Sequence, residues 1–106
     1  VPTPLAYQGH LFLWGDNGVV VCLEAATGRE IWTQRVGGIY SGSPVCIDGK
    51  LYCIARDGTV VVMVAGPKYE LLGKTSLGDA CHSTPAVAGG RMFIRGFKHL
   101  YCLRAR

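Results

Sequence analysis

Apolar residues in this chain come in short runs broken by Gly, Asp and Asn, and the central stretch shows the pattern most plainly. Pro44 to Ile47 is followed by Asp48-Gly49, Lys50 to Ala55 by Asp57-Gly58, and Thr59 to Ala65 by Gly66-Pro67-Lys68. Tyr69 to Thr75 closes the series. Runs this short, rich in Val, Ile and Tyr and bounded by turn residues, predict β-strands. Asp-Gly between two such runs is a tight hairpin signal. Pro at the first residue of a strand is tolerated because the ladder there needs no donor. No stretch keeps a helical period between capping residues, so essentially no helix is predicted.

The same order of runs recurs. Shifted by 40 residues, Thr3-Pro4-Leu5 falls on Ser43-Pro44-Val45, and Asn17-Gly18-Val19-Val20-Val21 on Asp57-Gly58-Thr59-Val60-Val61. A third copy follows, with Thr84-Pro85-Ala86 answering Ser43-Pro44-Val45 and Cys102-Leu103-Arg104-Ala105 answering Cys22-Leu23-Glu24-Ala25. Its turn at Gly96-Phe97-Lys98 is one residue shorter than the earlier ones. Four antiparallel strands in about 40 residues make one propeller blade. The expected fold is therefore all-β, a partial β-propeller of about two and three-quarter blades. The blades fall at residues 1–36, 37–76 and 77–106, the last without its outermost strand. Closed propellers need roughly four to eight blades. The chain is thus expected to be the C-terminal part of a larger propeller, and its expected partners are further blades, from the same longer chain or from copies of this one.

Composition supports that picture. The chain has 106 residues, of which 49% are hydrophobic and 17% charged, which argues against disorder. Glycine, at 15 residues, is about twice its usual share. No apolar run approaches a membrane-spanning length, and no basic-then-apolar leader opens the sequence. Net charge is +4 and uneven, −1 over residues 1–53 and +5 over 54–106. After Asp79 no acid occurs, while Arg91, Arg95, Lys98, Arg104 and Arg106 follow. No Lys/Arg run or nucleic-acid motif accompanies them, so a nucleic-acid partner has no support. Five cysteines, an odd number, show no zinc-type spacing. Cys22, Cys46, Cys53 and Cys102 read as small buried hydrophobes, while Cys81-His82 lies in a loop-like stretch.

Residues 22–32, Cys-Leu-Glu-Ala-Ala-Thr-Gly-Arg-Glu-Ile-Trp, resemble the repeat signature of PQQ-like (quinoprotein) β-propellers. Asp48-Gly49-Lys50-Leu51-Tyr52 and Asp57-Gly58-Thr59-Val60 are similar to that family's inner-strand pattern. The resemblance implies that Trp32 docks on the turn of a neighbouring blade, with Ala25, Thr27 and Gly28 as the docking turn. The second copy departs from it, with Gly66-Pro67-Lys68 at the turn and Leu72 where Trp32 stood. Dehydrogenases of the family hold PQQ and calcium with an adjacent cysteine pair, a stacking Trp and acidic and amide ligands. Here no two cysteines are adjacent, and Asp16, Asp48 and Asp57 sit beside turns, where Asp bonds its own backbone. Trp14 reads as packing, and His10 and His99 as structural. No catalytic, cofactor or metal residue is therefore assigned, and PQQ and calcium are expected only for a complete family member.

The expected function is a non-catalytic interaction scaffold. The alternatives are a fragment of a PQQ-dependent oxidoreductase and a self-assembling propeller fragment. By resemblance the compartment is the periplasm or cell envelope. One face should gather the second-to-third-strand turns and the blade-to-blade connections, and loops of this kind carry function more often than strands. Tyr40, Arg56, His82, Phe97 and Lys98 are its expected exposed contact residues.

Overall fold

The computed structural model describes residues 3–81, 84–89, 91–96 and 98–104, with the side chain of Arg104 left aside. Its strands are β1 Leu5–Tyr7, β2 His10–Trp14, β3 Val19–Glu24, β4 Glu30–Arg35, β5 Val45–Ile47, β6 Lys50–Ile54, β7 Thr59–Val64, β8 Leu71–Ser76, β9 Ala86–Ala88, β10 Arg91–Arg95 and β11 Leu100–Arg104. They form three antiparallel meanders in chain order: β1-β2-β3-β4, β5-β6-β7-β8 and β9-β10-β11. None of the described residues is helical.

Turn chemistry sets the register of each sheet. Gln8-Gly9 and Asp48-Gly49 both take positive φ at both positions (48° and 79°, 50° and 72°), the conformation of a two-residue hairpin turn that matches strand twist. Their flanking residues pair directly, Tyr7 with His10 and Ile47 with Lys50. The β2–β3 and β6–β7 turns are longer. Each ends in a left-handed glycine, Gly18 or Gly58, preceded by a side chain that accepts a backbone N–H two residues on. Asn17 Oδ1 accepts from Val19 at 3.3 Å, and Asp57 Oδ1 from Thr59 at 2.9 Å. That local bond holds the Asp57 carboxyl below the usual aspartate range.

The central sheet is apolar on both faces. Leu51, Cys53, Val61 and Met63 pack toward the first sheet, with Phe12, Trp14, Val20, Cys22 and Tyr40. Tyr52, Ile54, Val60 and Val62 pack toward the third, with Met92, Ile94, Tyr101 and Leu103. A strand buried on both faces needs no polar alternation, which is why β7 reads as an unbroken apolar run. Each fully buried side chain of this size contributes about 1.5–3 kcal/mol of transfer free energy. Burial also pushes the Cys53 thiol up to about 12.

Near the innermost strands the sheets are stitched by the recurring Ser/Thr-Pro pair. The Thr3 N–H donates to Ser43 Oγ at 2.7 Å, and the Ser43 N–H donates to Thr84 Oγ1 at 2.7 Å. Each hydroxyl therefore caps the chain entering the preceding sheet.

At the outer strands the junctions differ. Trp32 Nε1 donates to the Gly66 carbonyl at 3.0 Å, so the first sheet docks on the β7–β8 turn of the second. Its ring lies edge-on to Tyr69 (centroids 5.3 Å apart) and beside Phe12 (6.2 Å). Ala25, Thr27 and Gly28 take no part in that junction. They form the exposed β3–β4 turn of the first sheet, where Gly28 N–H donates to the Glu24 carbonyl at 2.7 Å and Thr27 Oγ1 to Glu24 Oε1 at 2.7 Å. The expectation that Leu72 replaces Trp32 is corrected by the register. Cys22 faces Trp32 across the β3–β4 ladder, and its counterpart Val62 faces Gly73. Leu72 is 45% exposed. Both ladders carry the same bulge, at Cys22/Leu23 and at Val62/Met63, and the extra residue lies in the β7–β8 turn, where Met63 faces Leu71 as Leu23 faces Glu30.

Candidate interaction face

The β2–β3 and β6–β7 turns do meet the connections between sheets, through backbone hydrogen bonds that repeat. Val36 N–H donates to the Gly18 carbonyl and Tyr40 N–H to the Asp16 carbonyl, at 2.8 and 2.9 Å. One sheet further on, Leu77 N–H donates to Gly58 and Cys81 N–H to Arg56, both at 3.0 Å. Arg56 also donates its own N–H to the Ile39 carbonyl at 2.7 Å, so one residue ties two successive connections. The face is thus a rigid backbone lattice on which side chains are presented.

The five residues expected on it separate. Arg56 is exposed, and its Nε donates to Ser41 Oγ at 2.5 Å, which fixes the side chain. Lys98 is exposed, with its backbone N–H on the Asp79 carboxylate. His82 and Phe97 lie outside the described residues. Tyr40 is not an exposed contact residue: it is 1% exposed, edge-on to Trp14 at 5.4 Å, with its hydroxyl donating to the Gly37 carbonyl at 2.7 Å. Burial pushes its hydroxyl up to about 12. The reason is the positive φ of Gly37 and Gly38, which turns the connection inward and drops the ring between the first two sheets. Cys81 is likewise buried, its Sγ 3.4 Å from the Arg95 carbonyl, whereas Cys102 is exposed.

Two residues on this face escaped the sequence reading. Ile39, 58% exposed, stands beside Arg56 with no apolar cover. Asp79 is the buried carboxylate of the third connection, at 6% exposure. It accepts the Lys98 and His99 N–H groups at 3.0 Å each and the Tyr101 hydroxyl at 3.2 Å, and His99 Nδ1 lies 3.7 Å away. The signal for Asp79 was its place as the last acid before an all-basic stretch. For Ile39 no signal distinguished it from a core residue.

Burial of Asp79 opposes its charge, but the donors from Lys98, His99 and Tyr101 outweigh it and hold the carboxyl below the usual aspartate range. A folded-state pKa below the unfolded one stabilises above the ordinary range and is lost as pH falls through the lowered value. Acid should therefore loosen this connection. Hydrogen-exchange protection of the Lys98 and His99 amides is expected to fall below about pH 4, near the ordinary aspartate value. Asp79→Asn should lower that protection already at neutral pH. Protection that follows the rest of the third sheet at every pH would refute the assignment.

Trp14, 2% exposed, is buried between sheets, and Trp32 is docked on the Gly66 turn. Among the described residues no three His, Cys, Asp or Glu side chains converge as metal ligands.

A family model described as outer membrane protein assembly factor BamB matches residues 2–66. The outer membrane protein assembly factor BamB of Burkholderia pseudomallei is 31% identical over 94 residues, which cover 88% of this chain and 24% of that protein. The chain thus spans about a quarter of that relative's length. The crystal structure of BamB from Moraxella catarrhalis superposes with a TM-score of 0.76 at 17% identity, over 94% of this chain and 30% of that one. A quinohemoprotein alcohol dehydrogenase from Pseudomonas putida HK5 superposes with a TM-score of 0.73 at 20% identity, over 88% of this chain and 16% of that one. The dehydrogenase shares the blade architecture, while the match over residues 2–66 decides the lineage: this chain belongs to the PQQ-like β-propeller family whose model describes outer membrane protein assembly factor BamB.

Proposed function

We propose that this chain is a segment of a BamB-like propeller that serves as a non-catalytic protein-interaction scaffold in the cell envelope. The face that binds the partner is the one built from the β2–β3 and β6–β7 turns and the sheet-to-sheet connections. The observation that carries this reading is the pairing of Ile39 and Arg56. An exposed aliphatic side chain stands beside an arginine already immobilised on Ser41. Arginine is enriched at interface hot spots, and a pre-ordered side chain loses little entropy on binding. Lys98 and His99 extend the face toward a partner with acidic groups. The name of the B. pseudomallei relative supports an assembly role in place of catalysis.

The test uses the intact protein in cells, with a photo-crosslinking residue at position 39 and, as control, at position 72 on the outer rim. A discrete adduct with another envelope protein is expected from position 39 and none from position 72. Arg56→Ala should reduce the adduct while leaving the unfolding midpoint within experimental error. Equal labelling from both positions, or none from either, would reject this face. PQQ- and calcium-dependent reduction of a redox dye by the intact protein would instead favour the oxidoreductase reading.

A further inference from the structure

A cavity of about 240 Å³ lies between the connection that leaves the first sheet and the β6–β7 end of the second. Both sheets at this junction have four strands, and every wall is formed by residues between Val36 and Lys74. The next junction shows what occupies the same place there. By the repeating turn-to-connection bonds, Val36 and Tyr40 correspond to Leu77 and Cys81, so Gly38 corresponds to Asp79. By the ladders, Val61 faces Cys53 as Tyr101 faces Ile94. In the third sheet the Asp79 carboxylate accepts the Lys98 and His99 N–H groups and the Tyr101 hydroxyl, and so fills the place from within the chain. Gly38 and Val61 are smaller at both positions. Tyr40 brings a ring from the connection, its hydroxyl on the Gly37 carbonyl at 2.7 Å, and the cavity remains beside it.

We infer that this cavity binds a small zwitterion of the α-amino-acid class. It is smaller than the roughly 300–1,000 Å³ of sites for drug-sized ligands, which limits the ligand to a small molecule. Two charged side chains line it, Asp57 and Lys74. Among the described residues no ion pair joins them. The Lys74 ammonium donates to the Val36 carbonyl at 2.6 Å, and Asp57 Oδ1 accepts the Thr59 N–H at 2.9 Å. An ammonium has further donors and a carboxylate a second oxygen, so each can take another partner. A bare carboxylate would gain Lys74 but meet the like charge of Asp57, and a bare amine the reverse. A molecule that carries both charges satisfies both groups. Val36, Ala55 and Val61 offer its side chain an apolar wall.

The experiment titrates L-alanine into the intact, isotopically labelled protein and follows backbone amide shifts. Saturable shifts are expected at Gly37, Gly38 and Thr59. Propionate and ethylamine, which each keep one of the two charges, should bind about tenfold more weakly or worse. Lys74→Met and Asp57→Asn should each weaken the L-alanine response by a similar factor. The asparagine keeps an oxygen for the Thr59 N–H, so the turn itself is preserved. Absence of saturable shifts, shifts centred elsewhere, an equal response to propionate or ethylamine, or a response unchanged in either variant would each overturn the inference.

Discussion

Replacing Trp32 with alanine is expected to destabilise the propeller by about 3–5 kcal/mol, the range for removing a large aromatic from a packed site. Two separate losses make up that figure. The ring gives up its contacts with Phe12 and Tyr69, and the Gly66 carbonyl, itself buried, loses the indole donor at 3.0 Å. Trp32→Phe separates them. It keeps an aromatic surface and removes the stronger donor, leaving the Gly66 carbonyl the weak Cys22 thiol at 3.8 Å, and should cost about 1–3 kcal/mol. Urea unfolding of the intact protein reads both. An unchanged midpoint for Trp32→Ala would mean that the first two sheets are held by their inner strands alone.

Gly58→Ala should be comparably damaging for a different reason. Gly58 has φ +91°, and an added Cβ would stand 2.1 Å from the Asp79 carbonyl oxygen and 3.0 Å from its carbon. Those are backbone atoms of the next connection, so no side chain can swing aside. Strain at a left-handed residue and overpacking each cost about 1–3 kcal/mol, which together give on the order of 3 kcal/mol or more. Gly28→Ala is the internal control. Gly28 has φ +75° and open space around it, so only the backbone term of roughly 1–2 kcal/mol applies. Equal costs for the two variants would show that the connection yields, and that the turn-to-connection lattice is softer than its geometry implies. The counterpart Gly18, with the Gly37 carbonyl at 2.6 Å, should behave like Gly58.

The candidate site was legible unevenly. The exposure of Arg56 and Lys98 was anticipated because the hairpin rule places the turns, and turns at a propeller's end are exposed. Tyr40 was misplaced because a tyrosine among glycines and serines reads as a loop residue. Nothing local indicates that two left-handed glycines fold it back between sheets. Ile39 and Asp79 were missed for the complementary reason. Composition expects the isoleucine inside and the aspartate outside, and the lattice of turn and connection hydrogen bonds reverses both.

Periodicity and turn residues by themselves determined the strand order, the hairpin registers and the stacking of like blades. These follow from local rules, namely positive-φ positions that favour Gly, Asn or Asp and apolar runs too short for helices. The docking of Trp32 was available only through resemblance. Its absence from the second junction was hidden even then, because a β7–β8 turn one residue longer than the β3–β4 turn moves Gly73 into the place that counting assigns to Leu72. Which side chains face solvent on the proposed interaction face was likewise decided by tertiary structure. A bulge or a left-handed turn changes the direction of every side chain that follows it, and that direction depends on contacts with residues about 20 to 40 positions away.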